Sequence, residues 1–330
     1  MQRVFRFVTL HGAGKRFTCI IKSYLSHHKR GNLMTSTYNR RKIKESLFVL
    51  RMLIIPLINL AVFFFYMNFD SVAMAFRIGD EPGFTLHNFR VFFNEFTAPD
   101  SDIKGALINS LLFFGTNLIV IFPISLLLSY FLYRRICGYK VFRVVFFVPS
   151  IISAVAMVTV FKQFVNPGGP LNKIAQLFGN TNFPELLADS RYAKWTIILY
   201  CIWTGLSSNM IIFGGAMVRV PLELIESAKI DGSNVFTEFT HIVLPLIWPT
   251  ISTLLTFTFV GIFTSGGPIL LFTEGQFDTF TVPYWMYDRV KNVASYNYPS
   301  AVGLVLTVVA FPIVMLAKKI IDKIGCVIEY

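Results

Sequence analysis

Charge is scarce in this sequence of 330 residues. Only 15% of them are Asp, Glu, Lys or Arg, against roughly 25% in an ordinary soluble domain. Acids are scarcer still, 18 against 30 bases. Cysteine is nearly absent: Cys19, Cys137, Cys201 and Cys326 are scattered with no CxxC and no metal spacing, which leaves disulfide and zinc readings without support. Cys137 follows Arg134 and Arg135 and is expected on the reducing face. Histidine occurs only at His11, His27, His28, His87 and His241, none inside an apolar stretch. With no HExxH, no carboxylate pair within the apolar stretches and no Ser–His pairing, the pattern argues against an intramembrane enzyme. What is abundant is apolar surface, with 54% hydrophobic residues, 16% aromatic and Phe at 35 positions. A water-soluble fold of this length could not hide it, so lipid is the expected solvent.

Crossing the hydrocarbon core takes about 20 mainly apolar residues. Six stretches qualify, at about 47–68, 106–132, 142–164, 195–218, 249–272 and 299–321. In lipid the backbone must satisfy its own hydrogen bonds, so each is expected to be a helix. None contains Asp or Glu, and Lys162 sits at an edge. An ion-coupled carrier commonly needs an interior ionisable group. Asn109, Asn117 and Asn209 are read as interhelical hydrogen-bond partners.

The bases are not evenly spread. Twelve of the 30 precede residue 52, with Glu45 the one acid among them. Segment 133–143 carries Arg134, Arg135, Lys140 and Arg143 and no acid, and the C-terminal end carries Lys318, Lys319 and Lys323. Segments 69–105 and 273–298 together hold nine acids against five bases. Six crossings with both termini inside satisfy the positive-inside rule and place segment 219–248 in the cytoplasm. The clustered bases fit a membrane surface, and no nucleic-acid partner is expected.

Residues 1–46 have no continuous apolar core and no cleavage site, so a basic cytoplasmic tail is expected. Either Met1 or Met34 can be the start. The stretch HGAGKRFT fails the phosphate-loop pattern twice, at Thr9 and Arg16.

Segment 219–248 is too long and too polar for a connector. Pro221 suits a first helical turn, and Glu223 and Glu226 suit its positive end. Ser227 and Ala228 are small enough for another surface to approach. Asp231-Gly232 closes the helix at a residue free to turn left-handed. Val235, Phe239 and Ile242 then outline a second apolar stripe. Leu244, ahead of Pro245, is expected in extended geometry that redirects the chain.

This stretch resembles the EAA loop of binding-protein-dependent ABC importer permeases. Glu226, Ser227, Ala228, Gly232, Ile242, Leu244 and Pro245 match E-A-A, three residues, G, nine residues, I-x-L-P, and Ser227 for the middle Ala is the one departure. The resemblance implies that these residues, with Asp231, couple the chain to a separate ATPase. RVVFFVPSIIS (143–153), NPGGPLNKI (166–174), GLSSNMIIFGGAMVRVPLELIESAKIDG (205–232) and SGGP (265–268), followed by Thr279, Thr281 and a Tyr-rich segment, resemble the carbohydrate-uptake branch, the maltose-type and glycerol-phosphate-type permeases. The short 69–105 segment lacks the extra outer domain of maltose-type members.

The implied architecture is an all-α integral membrane protein with six transmembrane helices and a type-1 ABC importer permease fold with a five-helix core. Residues 1–46 form the tail, 47–103 the first helix and outer loop, 104–322 the core, and 323–330 a short cytoplasmic end. Spans four and five are expected to line the pathway. Thr204, Gly205 and Ser208, with Trp203 adjacent, share one helical face, as do Phe257, Gly261 and Thr264. Against that, small and hydroxylated residues often only let helices pack closely. The implied partners are a second homologous permease subunit, an ATPase dimer holding ATP and Mg, an extracytoplasmic sugar-binding protein, the sugar and membrane lipid. The chain itself is expected to hold no cofactor and no metal. The implied location is the cytoplasmic membrane of a prokaryote.

Overall fold

A computed structural model describes residues 44–79, 83–99, 101–179, 183–293 and 296–325. The basic tail before Lys44, with Cys19 and Met34, and the end with Cys326 lie outside the described residues. Every regular element among the described residues is helical. The chain divides into two units at Asp70/Ser71.

In chain order the helices are α1 (Lys44–Ala75), α2 (His87–Thr97), α3 (Asp102–Tyr133), α4 (Tyr139–Ile151), α5 (Ala154–Val165), α6 (Pro170–Leu177) and α7 (Ala193–Met217). There follow α8 (Leu222–Ile230), α9 (Val235–Leu246), α10 (Trp248–Val260), α11 (Ile269–Phe272), α12 (Val282–Val293) and α13 (Asn297–Ile324). Helices α1, α3, α7 and α13 are each long and apolar enough to cross a membrane. Two bent pairs bring the number of crossings to six if each pair is one span.

Two of the six expected spans are not continuous helices. The stretch 142–164 breaks at Ile152–Ser153, and the helical run Ala154–Leu177 turns 115° from α4. The stretch 249–272 is helical only to Val260. Residues 261–264 form a turn and 265–268 an irregular loop before the single turn of α11. Helix α10, of 13 residues, is about 20 Å long, well short of the hydrocarbon core. Its bent partner is α9, inclined at 74° to it.

Prolines shape the helices in a way the sequence reading missed. Five-residue π turns at Asn117–Ile121 and Phe239–Val243 each end two residues before a proline, Pro123 and Pro245. Phe122 N–H bonds Asn117 O, and Leu244 N–H bonds Phe239 O, five residues back in both cases. A proline ring collides with the carbonyl four residues earlier in an α-helix. Widening the preceding turn relieves that collision without ending the helix. Leu244 therefore stays helical, at φ −59° and ψ −48°, and not extended as expected. The chain turns instead at Ile247.

In the second unit four buried clusters hold the helices together. One joins Phe122 and Tyr130 of α3, Phe213 and Met217 of α7, Ile225 of α8, Phe239 and Val243 of α9, and Ile251 of α10. The expected stripe of Val235, Phe239 and Ile242 is shifted by the π turn: Phe239 and Val243 are buried, Ile242 half-buried and Val235 exposed.

Candidate functional site

Two places gather the residues singled out in the sequence: a polar cavity between helices, and the α8–α9 loop.

The cavity, of about 600 Å³, lies among α3, α4, α5, α7 and the 264–268 loop. Helix α7 contributes Tyr200, Cys201, Thr204, Gly205, Ser208 and Asn209, and α3 contributes Phe113, Asn117 and Ile121. The end of α4 contributes Pro149 and Ser150, the break after it Ile152, and the loop contributes Thr264, Ser265, Gly266, Gly267 and Pro268. Hydroxyls and amides alternate with apolar and aromatic surface, and no Asp, Glu, Lys, Arg or His is among the lining residues.

The irregular loop borders the cavity and is packed against protein. Backbone outside a helix is tolerated in a membrane only under such conditions. Gly267 has φ +60°, and a Cβ there would lie 2.9 Å from Cys201 Sγ and 3.2 Å from the Phe113 ring. Ser265 Oγ donates to Gly261 O at 2.8 Å. Lys162 Nζ donates to Leu271 O at 3.1 Å, and Ser110 Oγ accepts from Val282 N–H at 2.9 Å.

Of the seven expected pathway residues, Thr204, Gly205, Ser208 and Thr264 line the cavity. Gly205 also packs closely, since a Cβ there would lie 3.0 Å from Ile121 Cδ1. Thr204 Oγ1 donates to Tyr200 O at 3.0 Å. Trp203, Phe257 and Gly261 do not line it. Trp203 packs beside the Ile197–Tyr200 cluster, Phe257 is exposed, and Gly261 follows the last residue of α10. Because α10 stops at Val260, Phe257, Gly261 and Thr264 do not share a helical face.

The three asparagines, alike in sequence, separate here. Asn109 is buried and donates to Asp278 O at 3.0 Å and Phe280 O at 2.7 Å, tying α3 to the turn before α12. Asn117 and Asn209 face the cavity instead. The π turn that begins at Asn117 was the missed signal: its cue is the proline two residues beyond Ile121.

Farther along α7 lies another cavity. This second one, of about 440 Å³, is lined by Met210, Ile211, Gly214, Gly215 and Val218 of α7, Ser129, Leu132 and Tyr133 of α3, and Arg135, Arg143 and Phe147. Thr204, Ser208, Ile211, Gly215 and Val218 recur at helical spacing, so both cavities open on one face of α7.

In the α8–α9 loop, Pro221 takes the N-cap position, one residue earlier than a first turn, at φ −59° and ψ 127°. Helix α8 ends in a Schellman motif. Ser233 N–H bonds Ala228 O at 2.9 Å and Gly232 N–H bonds Lys229 O at 3.1 Å, with Gly232 at φ +79°. Asn234 then caps α9, its Oδ1 accepting from Thr237 N–H at 2.8 Å. Glu226, Ser227, Asp231 and Gly232 are exposed, Ala228 half-buried. Ile242, Leu244 and Pro245 are half-buried against the bundle. Ile225 is the one α8 residue buried in the core. Helix α8 thus presents one edge to the core, and outward a mixed surface of Glu223, Glu226, Ser227 and Lys229 with the exposed aliphatics Leu222, Leu224 and Ile230.

Comparison with known proteins gives a consistent placement. The chain is similar to the multiple sugar-binding transport system permease protein MsmF of Streptococcus mutans, at 24% identity over 289 residues, 86% of this chain and 98% of the relative. It is similar to the polygalacturonan/rhamnogalacturonan transport system permease protein YteP of Bacillus subtilis, at 29% identity over 66% of this chain and 69% of the relative. Among solved structures it shares its fold with a chain of a bacterial ABC transporter involved in import of the acidic polysaccharide alginate. The TM-score is 0.76 and the identity 24%, covering 87% of this chain and 99% of the other. The sequence pattern of one family, described as binding-protein-dependent transport system inner membrane component, matches residues 121–323. That match takes in the whole α8–α9 loop, the second cavity and all of the first cavity's lining except Phe113 and Asn117, and on it the chain belongs to the family of binding-protein-dependent transport system inner membrane components.

Proposed function

We propose that this chain is the permease subunit of an ABC importer that carries a sugar or oligosaccharide across the cytoplasmic membrane. The observation that carries the reading is the uncharged, hydroxyl- and amide-bearing cavity between α3 and α7. Sugars present hydroxyls and apolar ring faces, which such a lining can meet with hydrogen bonds and aromatic surface. The relatives' own names, among them the arabinooligosaccharide permease AraP and MsmF, favour the same solute class. Thr204, Gly205, Ser208, Thr264, Asn117 and Asn209 line the route, and the second cavity leads from it toward the cytoplasm.

The chain supplies half of the route, and a second permease subunit supplies the rest. An extracytoplasmic binding protein delivers the sugar; one alginate importer has been solved with its sugar-bound periplasmic protein. Both termini lie inside, so the α8–α9 loop meets a cytoplasmic ATPase dimer that holds ATP and Mg. Glu226, Ser227, Ala228, Asp231 and Gly232 form the docking helix, and Ile242, Leu244 and Pro245 seat it on the bundle.

The test is uptake and ATP hydrolysis in proteoliposomes containing this chain, its companion permease and the ATPase, with loaded binding protein added. Ala228→Trp and Gly232→Pro are expected to abolish both sugar uptake and stimulated hydrolysis while the chain still inserts. Wild-type stimulation in both variants would overturn the coupling role of the loop.

A further inference from the structure

Glu238 has no part in the EAA pattern, yet it is the one charged side chain fully buried among the described residues, at 2% exposure. It sits in the first turn of α9, after the loop that follows the docking helix. A carboxylate out of water is costly unless paired and hydrogen-bonded. Its partners come from a single element, the far end of α3. Tyr130 O–H lies 3.0 Å from Glu238 Oε1 and 3.0 Å from Val235 O, so its one proton is shared between the α9 side chain and the α9 backbone. Arg134, the C-cap of α3, brings Nε to 3.8 Å from the same carboxylate oxygen. The Tyr130 ring packs on Phe239 with centroids 4.7 Å apart.

Helix α3 is also the helix whose π turn borders the sugar cavity. From Asn117 to Tyr130 is about 20 Å of continuous helix. The docking loop is therefore fastened, through one buried acid, to the rod whose other part carries Asn117 and Ile121. A buried hydrogen-bonded charge resists sliding of the helices it joins, because sliding would strip it of its partners.

We propose that Glu238 is a positioning residue for transport: with Tyr130 and Arg134 it latches the docking loop to α3, so that movement of the loop reaches the sugar cavity. The proposal rests on the reading of this loop as the ATPase contact.

The experiment measures sugar taken up per ATP hydrolysed in proteoliposomes of the full complex, together with co-purification of the ATPase. Glu238→Ala and Tyr130→Phe are the disruptive variants. Tyr130→Phe keeps the ring on Phe239 and removes only a hydroxyl, so it folds even if the alanine variant does not. Both are expected to keep the ATPase bound, because the exposed α8 surface is unchanged, and to lower the sugar-to-ATP ratio about fivefold or more. Glu238→Gln, which retains an acceptor for Tyr130, is expected to recover part of the loss. An unchanged ratio in both disruptive variants would overturn the latch. So would loss of ATPase binding in both, which would make Glu238 a packing residue alone. Wild-type complex that shows no hydrolysis stimulated by binding protein would instead sink the permease reading itself.

Discussion

Asn109, Asn117 and Asn209 show how one residue type takes different work from its surroundings. Asn109 holds two carbonyls of a turn in which Glu274, Phe277 and Asp278 all have positive φ. Such backbone is costly for non-glycine residues and persists only when neighbours hold it. Asn109→Ala leaves Asp278 O and Phe280 O without their donor and is expected to cost about 1–3 kcal/mol. Thermal denaturation of the purified complex would register this as a lowered Tm. Asn209→Ala removes no such bond. It is expected to leave the Tm unchanged and to raise the sugar concentration needed for half-maximal uptake, as measured in vesicles. The reverse pattern would exchange the roles of the two positions.

At the scale of the element, the π turns are the features with most consequence. The two five-residue turns each sit ahead of a proline and bring residues into place, Asn117 beside the cavity and Phe239 and Val243 in the core under the loop, whereas the seven-residue π stretch Leu60–Tyr66 of α1 precedes no nearby proline. Pro123→Ala restores an N–H and removes the ring that keeps the turn wide. The turn is then free to tighten to α, which would swing Asn117 round the helix by about 100°. A cysteine at position 117 is expected to react with a small polar thiol reagent in the parent chain and to lose that reactivity when Pro123→Ala is added. Equal labelling would show that the π turn does not depend on the proline. The broken α10 follows the same logic of local chemistry. Gly261 ends it, and the Gly266-Gly267-Pro268 run keeps the chain from resuming a helix until α11.

At the scale of the whole molecule, the positive-inside distribution of charge predicts an orientation with both termini inside. Single cysteines replacing Arg90 and Lys291, both exposed, are expected to label from outside the intact cell. Cysteines replacing Gly138 and Val235, also exposed, are expected to label only after permeabilisation. Position 285 would be a poor probe, since Trp285 is buried. Labelling of position 235 from outside would invert the topology and remove the loop from the ATPase.

The sequence by itself determined the solvent, the helical class, the number of apolar stretches and the place of the loop, because each is written in local composition or spacing. Twenty apolar residues, a basic segment, or Glu226-Ser227-Ala228 followed by Gly232 have the same meaning wherever they pack. Gly232 at φ +79° is of this kind, since a left-handed helix end asks for glycine before any tertiary contact forms. What only the tertiary structure decided depends on which surfaces meet. A span was expected to be helical throughout because lipid offers no hydrogen bonds, yet residues 261–268 are not. Residues 264–268 border a cavity and Gly267 packs against Cys201 and Phe113, so the lipid argument does not reach them. Glu238 was equally illegible, one acid among four in a polar loop, until folding placed Tyr130, 108 residues earlier in the chain, against it. Burial and partnership are properties of the packed chain, and no window of sequence contains them.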